Sequence, residues 1–211
     1  MITRTIEERI NIALAKKKAV TIMGPRQVGK STLAYSIIPK DAKVLEINGD
    51  NTDVQTMFVN VDEAKMKILI GNNNFLFVDE AQKIENVGNM LKIVAEKFKD
   101  VKIIVTGSSA FKLAEAVNES LTGRKREFKL YPLSFKEMAD DTSVLEESRI
   151  IDHRLIYGYY PEVVTSPGDE KEVLKELIDS YLYKDVMEEN NIAKPDKLVK
   201  LVQALAFQIG S

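Results

Sequence analysis

The sequence predicts an α/β protein built on a parallel sheet that is covered by helices on both faces. Short, continuous apolar segments alternate with helical patterns along the first two thirds of the chain. Such apolar segments are typical of strands that are buried on both faces of a parallel sheet. After about residue 134 only helical patterns dominate. We therefore expect a three-layer α/β/α domain with a five-stranded sheet, followed by a small helical subdomain.

The individual elements follow from the spacing of apolar residues. Strands are predicted at residues 19–23, 45–48, 75–79, 101–107 and 126–133, with a further short strand considered at 162–164. Helices are predicted at residues 2–14, 31–37, 53–70, 85–98, 109–118, 133–141, 144–157, 171–190 and 195–209. Parallel strands joined by right-handed crossovers end at one edge of the sheet, where ligands of open α/β sheets bind. Functional residues are therefore expected directly after strands.

The composition excludes several kinds of site. Of the 211 residues, 30 are Lys or Arg and 32 are Asp or Glu, so no overall basic excess attracts nucleic acid or anionic lipid. The chain has no cysteine and one histidine, His153, which excludes thiolate and multi-histidine metal sites. No apolar run approaches the roughly 18 residues of a membrane span. The amino-terminal residues do not resemble a signal peptide, so we expect a cytoplasmic protein without a membrane partner.

The segment GPRQVGKST at residues 24–32 is the most specific motif in the chain. It matches the pattern G-x-x-x-x-G-K-[ST], follows an apolar strand and precedes a helical pattern. Its two glycines let successive backbone N–H groups turn toward phosphate oxygens, Lys30 supplies a positive charge and Ser31 an oxygen ligand for Mg²⁺. Arg26 either faces the phosphates or pairs with a carboxylate. The expected phosphate-binding residues are Gly24, Pro25, Arg26, Gln27, Val28, Gly29, Lys30, Ser31 and Thr32.

Two acids follow each other at the end of the predicted strand at 75–79, in the sequence FLFVDE. We expect Asp79 to hold Mg²⁺ through the water shell of the ion. We expect Glu80 to act as a general base toward the water that attacks a γ-phosphate, with helix capping as the alternative. The strand at 45–48 precedes this pair in sequence, and together with Glu80 it favours a hydrolase over a small-molecule kinase. Gln82 either contacts phosphate or water, or is a polar residue of a first helical turn.

Hydroxyl and basic side chains near the last two predicted strands are further candidates. Ser108 is the first choice, and Thr106 the second, for a residue that contacts the γ-phosphate or the attacking water. Ser109 is expected to cap the next helix. Arg124 follows Gly123 in a basic segment and is the best candidate for an arginine that stabilises charge at the γ-phosphate, in its own chain or in a neighbouring one. A solvated basic turn is the alternative for this segment.

Five segments that occur in order along the chain together resemble one family. They are GPRQVGKSTL, FLFVDEAQKIENVGNMLK, IIVTGSSAFKL, SLTGRKREFKLYPLSFKE and GYYPEVV. The chain resembles the AAA+-like P-loop ATPases of the AAA domain 14 family, which is related to the MNS and STAND branch. The resemblance implies ATP rather than GTP as the nucleotide, Mg²⁺ as the metal ion and a five-stranded sheet with a helical lid. It implies roles for Lys30, Ser31, Asp79, Glu80, Ser108 and Arg124.

The same resemblance implies a domain organisation and an activity. We expect an ATPase α/β domain at 1–134, a helical lid at 135–194 and the start of a winged-helix-like domain at 195–211. Family members continue with an uncharacterised nuclease-like part that this chain mostly lacks, and nucleic acid is expected as a partner only through that part. A homo-oligomer or a partner protein is the other expectation. The expected activity is slow, Mg²⁺-dependent ATP hydrolysis that acts as a conformational switch; the alternative is a nucleotide-binding regulatory or interaction module with little turnover.

Overall fold

The computed structural model of the chain describes residues 1–108, 121–179 and 195–208. These residues belong to two compact units, Met1–Arg149 and Ile150–Ser211. The first unit contains a sheet with its helices, and the described part of the second unit is helical. The division of the sequence into residues 1–134, 135–194 and 195–211 stays a prediction.

The first unit is built on a five-stranded parallel sheet, which confirms the predicted fold class. Its strands are β1 Ala19–Met23, β2 Val44–Asn48, β3 Phe75–Asp79, β4 Lys102–Gly107 and β5 Lys125–Lys129. Along β1, Val20 and Ile22 pack in one core cluster, and Ala19 and Met23 pack in the other. Because successive side chains of a strand point to opposite faces, these two clusters lie on the two faces of the sheet.

The order of the strands across the sheet is β2-β3-β4-β1-β5. β4 pairs with β1 through Val20 and Ile104, and with β3 through Leu76 and Ile103. The strand that separates the β1 loop from the two acids after β3 is therefore β4. β2 lies between β1 and β3 along the chain, but in the sheet it pairs with the outer side of β3 and forms an edge. Residues that follow β4 consequently lie between those that follow β1 and those that follow β3.

Helices of the first unit cover both faces of the sheet. They are α1 Glu7–Ala15, α2 Lys30–Ile37, α3 Thr52–Met57, α4 Glu63–Ile70, α5 Val87–Lys97, α6 Phe135–Asp141 and α7 Val144–Arg149, with a 3₁₀ turn at Ala81–Lys83. The single helix predicted at 53–70 is wrong, because Phe58 and Val61 enter the core between α3 and α4. Asp62 then begins α4 by accepting a hydrogen bond from Lys65 N at 2.8 Å.

The fifth strand is shorter than predicted, and the reason lies in the residues that follow it. It ends at Lys129 instead of residue 133. Pro132 cannot donate a backbone hydrogen bond to a neighbouring strand. Ser134 and Glu137 then form a reciprocal capping box that begins α6. Phe128 is the buried residue of this strand, and Arg126, Glu127 and Lys129 are exposed.

The described part of the second unit contains only helices. They are α8 Ile151–Tyr157, α9 Pro161–Thr165, α10 Glu170–Leu177 and α11 Pro195–Gln208. The strand considered at 162–164 is wrong, because Pro161 occupies the first turn of a helix, where its missing N–H costs nothing. The helix predicted at 144–157 is interrupted at Ile150, and the helix predicted at 109–118 lies outside the described residues.

The last helix has exposed apolar residues. In α11, Leu201, Leu205 and Phe207 are exposed, so the apolar side of this helix is not buried in the described structure. A search of the described residues finds no helix with the length and apolar character needed to cross a bilayer.

Candidate functional site

The phosphate loop joins β1 to α2 in a conformation that depends on its glycines. A Cβ atom on Gly24 would lie 2.2 Å from the Leu130 carbonyl oxygen, so no larger residue fits there without a backbone shift. Gly29 has φ +93°, and Gln27 is also left-handed at φ 56°. Glycine adopts this region at little cost, whereas Gln27 is strained. The loop therefore folds back on itself, and α2 begins directly at its end, with backbone N–H groups available to an anion.

Lys30 places a buried positive charge inside this loop. Its side chain is 4% exposed, and Nζ lies 3.6 Å from Glu80 Oε1. Nζ also donates a hydrogen bond to the Pro25 carbonyl oxygen at 2.9 Å. Burial lowers the pKa of Lys30 below its ordinary value, and the charge of Arg26 lowers it too, although the carboxylates of Glu80 and Asp79 oppose this. Phosphate oxygens would add further negative charge beside this buried ammonium group.

Ser31 and Asp79 meet beside the loop, as the sequence motifs predict for residues that act together. Ser31 Oγ donates a hydrogen bond to Asp79 Oδ2 at 2.8 Å. The hydroxyl of Thr106, which is fully buried at the end of β4, donates to Asp79 Oδ1. These contacts fix both oxygens of the Asp79 carboxylate. A hydroxyl and a carboxylate side by side form an oxygen pair suited to a hard cation such as Mg²⁺.

Glu80 has a strained backbone that the neighbouring β2 terminus accommodates. Its φ of 47° and ψ of 45° are left-handed, which is uncommon for a residue with a side chain. A Cβ on Gly49 would lie 2.3 Å from the Glu80 carbonyl oxygen, so this conformation requires glycine at position 49. Glu80 N donates to Thr106 Oγ1 at 3.3 Å. Strained residues held by their surroundings in this way are concentrated at functional sites.

The Glu80 carboxylate belongs to a closed group of polar side chains. Gln82 Nε2 donates to Glu80 Oε2 at 2.5 Å and to Ser108 Oγ at 2.9 Å. Ser108 Oγ in turn donates to Glu80 Oε2 at 3.1 Å. Gln82 Oε1 is buried without a hydrogen-bond partner in the described residues. The structure thus brings Ser108 and Gln82 to Glu80, and it brings Thr106, the second choice among the hydroxyls, to Asp79.

Arg124 lies away from this group. The prediction that it acts in the site of its own chain is wrong, because it lies at the opposite end of the strands. Its carbonyl oxygen accepts from Ala19 N at 2.9 Å, at the amino end of β1. The phosphate loop follows the opposite end of the same strand, about 13 Å away. The guanidinium binds Glu96, with Nη1 and Oε1 2.7 Å apart. The predicted contact between Arg124 and the γ-phosphate is therefore absent within one chain, and a contact with a neighbouring chain's site stays a prediction.

Two residues near the site carry no motif and are missed by sequence reasoning. Gly49 follows β2 and contacts the backbone of Asp79 and Glu80. Arg4 lies before α1, and its Nη1 donates to the Val28 carbonyl oxygen of the loop at 3.0 Å. Neither contact has a local signal in the sequence, because each joins segments that are far apart along the chain.

Comparisons with known proteins agree with this geometry. Residues 16–139 match the model of the family AAA_14, an AAA domain. The chain belongs to this family. Its first 149 residues thus contain an AAA+-like P-loop ATPase domain, and residues 148–211 match a second model, a domain of unknown function, DUF8612. The family membership of the chain agrees with the resemblance read from its motifs.

The curated relatives are themselves uncharacterized. One, from Methanocaldococcus jannaschii, is 28% identical over 206 residues, which are 90% of this chain and 46% of that protein. Another, from Haemophilus influenzae, is 30% identical over 141 residues, which are 64% of this chain and 35% of that protein. The AAA_14 chain spans less than half of the length of these relatives.

Two solved structures share the fold of the AAA_14 chain. The Walker-type ATPase of Pyrococcus abyssi aligns with a TM-score of 0.60 at 15% identity, over 90% of this chain and 74% of that one. A STAND protein with a tetratricopeptide repeat sensor from Pyrococcus horikoshii aligns with a TM-score of 0.51 at 13% identity, over 77% of this chain and 29% of that one. At these identities the likeness establishes the fold.

Proposed function

We propose that this AAA_14 chain binds ATP and Mg²⁺ at the phosphate loop, hydrolyses ATP and uses hydrolysis as a conformational switch. The observation that supports hydrolysis most directly is the position of Glu80, whose Oε1 lies 3.6 Å from Lys30 Nζ. The lysine of such a loop contacts the terminal phosphates. A carboxylate at this distance from it is near the γ-phosphorus of a bound nucleotide, where an attacking water must be activated.

Ser31 and Asp79 fit the metal ion that this chemistry requires. Mg²⁺ takes oxygen ligands, retains several waters and is usually held by one or two protein groups together with substrate phosphates. The described residues contain no cluster of three or more His, Cys, Asp or Glu that could hold a metal. A site of one hydroxyl and one carboxylate suits an ion that phosphates and water complete. When bound, the ion neutralises charge on the phosphate oxygens.

The remaining steps belong to residues of the chain. When a nucleotide is present, the Lys30 ammonium group exchanges its hydrogen bond to the Pro25 carbonyl oxygen for hydrogen bonds to phosphate oxygens. The Glu80 carboxylate accepts a proton from water as the water oxygen bonds to the γ-phosphorus. The bond between that phosphorus and the bridging oxygen breaks, and its electron pair leaves with ADP. Ser108 and Gln82 orient Glu80 through their hydrogen bonds.

A nucleotide-binding regulatory module with little turnover is the second candidate, and one observation favours it. Glu80 Oε2 accepts hydrogen bonds from both Gln82 and Ser108, while Oε1 faces Lys30. A carboxylate with these partners must exchange one of them for water before it can act as a general base. The chain would then bind and release ATP without hydrolysing it, and its effect would depend on whether ATP is bound.

Assembly and location are further parts of the proposal. We propose that the chain acts within a homo-oligomer or with a partner protein, where Arg124 could reach a site in a neighbouring subunit. The net charge of −2 does not favour binding of nucleic acid by this chain. We propose nucleic acid as a partner only for the parts that the longer relatives have in addition. The composition, with no cysteine, supports a cytoplasmic location.

The substitution Glu80→Gln tests hydrolysis, because it keeps the shape of the side chain and removes its basicity. We expect ATP turnover to fall by a factor of about 10² to 10⁴ while ATP affinity stays within a few fold. The matched control is Glu85→Gln, the same change at an exposed residue, which should retain full turnover. Unchanged turnover in the Glu80 variant would refute its role. ATP binding without measurable turnover in the unaltered chain, at every protein concentration, would establish the regulatory module instead.

A further inference from the structure

Arg4 is a buried cation at an unexpected place in the chain. It precedes α1, 24 residues before the loop residue that it contacts, and its side chain is only 9% exposed. A buried guanidinium is costly unless its donors are paired. No motif includes it, and the proposed hydrolysis does not use it. What it binds therefore indicates what it does.

The guanidinium joins three segments of the first unit. Nη1 donates to the Val28 carbonyl oxygen at 3.0 Å, inside the phosphate loop. Nη2 donates to the carbonyl oxygens of Tyr131 and Pro132, in the turn between β5 and α6. Nε donates to Glu137 Oε1 at 3.2 Å, in the first turn of α6. A planar fork with several donors at fixed angles can make these contacts at once, whereas an ammonium group cannot.

Glu137 holds Arg4 in place and is itself held. Its Oε1 accepts from Thr5 N at 2.8 Å, and its Oε2 accepts from Ser134 N at 2.9 Å. Burial alone would raise the pKa of the Glu137 carboxyl, but the two backbone hydrogen bonds and the charge of Arg4 outweigh burial and lower it. Glu137 is thus an ionised, fully hydrogen-bonded counter-charge that fixes the orientation of the guanidinium.

The contact with Val28 has a direct geometric consequence for the loop. In a trans peptide the carbonyl oxygen and the following N–H point in opposite directions. Arg4 holds the Val28 carbonyl oxygen toward its own guanidinium, so the N–H of Gly29, at the other side of the same C–N bond, points away from Arg4. A loop binds phosphate through such N–H groups, and fixing their direction before binding avoids an ordering cost.

The geometry points to Arg4 as a positioning residue for the phosphate loop, which it connects to Glu137 and the first turn of α6. This inference rests on the proposed nucleotide binding. It adds that ATP affinity depends on a residue before α1, and that the loop and the β5–α6 turn are held in one buried network. Arg4 does not contact the nucleotide in this account; it acts through the Val28–Gly29 peptide.

The test compares ATP affinity among variants, measured by calorimetry at a temperature where each one is folded. We expect Arg4→Met to weaken ATP binding by roughly 10- to 100-fold, as expected for the loss of a charged, buried hydrogen-bond donor. Arg4→Lys keeps the charge but not the fork and should give an intermediate loss. Arg9→Met is the matched control, because Arg9 is exposed and lies over the Phe128 ring, and its loss should leave affinity unchanged.

The outcomes separate this inference from the proposed function. If the unaltered chain does not bind ATP, the proposed function fails. If it binds ATP and both Arg4 variants bind it equally well, Arg4 has only a structural role and the inference is overturned, even where the melting temperature falls. Should Arg4→Met fail to fold, Arg4→Lys decides alone, because a variant that retains full affinity would contradict the need for the guanidinium fork.

Discussion

Substituting Gly49 by alanine should displace the two acids of the site without touching either side chain. Gly49 N donates to the Asp79 carbonyl oxygen at 2.9 Å, so the two backbones are already in contact. An added Cβ would lie 2.3 Å from the Glu80 carbonyl oxygen and 3.2 Å from the Asp79 carbonyl oxygen. Gly49 is not among the glycines of positive φ, so alanine causes no local backbone strain there. The whole cost comes from the contact with Glu80.

The size of the effect follows from that distance. A separation of 2.3 Å is too short for a non-bonded carbon and oxygen atom, so one of the two backbones must move by about 1 Å. Overpacking of this kind costs about 1–3 kcal/mol. In a chain of this size each kcal/mol lowers the melting temperature by about 2–4 °C. A misplacement of about 1 Å in catalytic groups can reduce turnover about 10²-fold. We therefore expect a modest loss of stability and a large loss of ATP turnover.

The assay measures thermal unfolding and steady-state ATP turnover side by side, with Gly71→Ala as the control. Gly71 has φ +49°, and an added Cβ would make only an ordinary contact with the Ile68 carbonyl oxygen at 3.7 Å, so alanine there costs about 1–3 kcal/mol through strain alone. The control should lose a similar stability and keep its turnover, since Gly71 precedes β3, at the edge of the sheet opposite to the phosphate loop. Normal turnover in Gly49→Ala, or an equal loss in the control, would refute the reasoning.

Two further predictions concern buried polar groups of the first unit. Replacing Thr106 by valine removes the hydroxyl that donates to Asp79 and accepts from Glu80 N, so urea unfolding should show a loss of about 1–3 kcal/mol; unchanged stability would contradict this. Because the pKa of Glu137 is lowered in the folded state, its contribution to stability is present above the ordinary value of 4.5 and is lost as the pH falls through the folded pKa. Unfolding free energies measured from about pH 6 down to about pH 3 should therefore fall less steeply in Glu137→Gln, whose amide can still accept a hydrogen bond from Arg4. Parallel curves for the two proteins would exclude Glu137 as the source of the pH dependence.

Much of the fold could be predicted because its signals are local. The strands at 19–23 and 75–79 match β1 and β3 residue for residue, since buried parallel strands are continuous apolar runs. Element bounds were less accurate where a turn depends on contacts elsewhere, as at Phe58, which leaves the helical pattern to enter the core. The order of strands across the sheet could not be read from their order along the chain, because β2 follows β1 in sequence but lies at the edge of the sheet beside β3.

The candidate site divides in the same way. The loop and Asp79 were predicted from spacing, because a phosphate loop needs glycines, a lysine and a hydroxyl at fixed distances along one segment. Arg4 and Gly49 were missed, because each acts through a contact with a distant segment. Arg124 was assigned by residue type and a neighbouring glycine, without the direction of its strand. Since β5 runs parallel to β1, a residue just before β5 lies at the edge opposite to the loop.

The position of β4 explains why Glu80 has more partners than the motifs suggest. β4 lies between the loop strand and the acid strand, so its terminal residues Thr106 and Ser108 reach Asp79 and Glu80 directly. If β1 and β3 were neighbours, the loop would face the acids with no hydroxyl from a third strand between them. The inserted strand therefore supplies the donors that hold the carboxylates. Any signal that repositions the end of β4 would change the hydrogen bonds of Glu80, and it would also reach the phosphate loop, because Gly24 N donates to the Gly107 carbonyl oxygen at 3.3 Å.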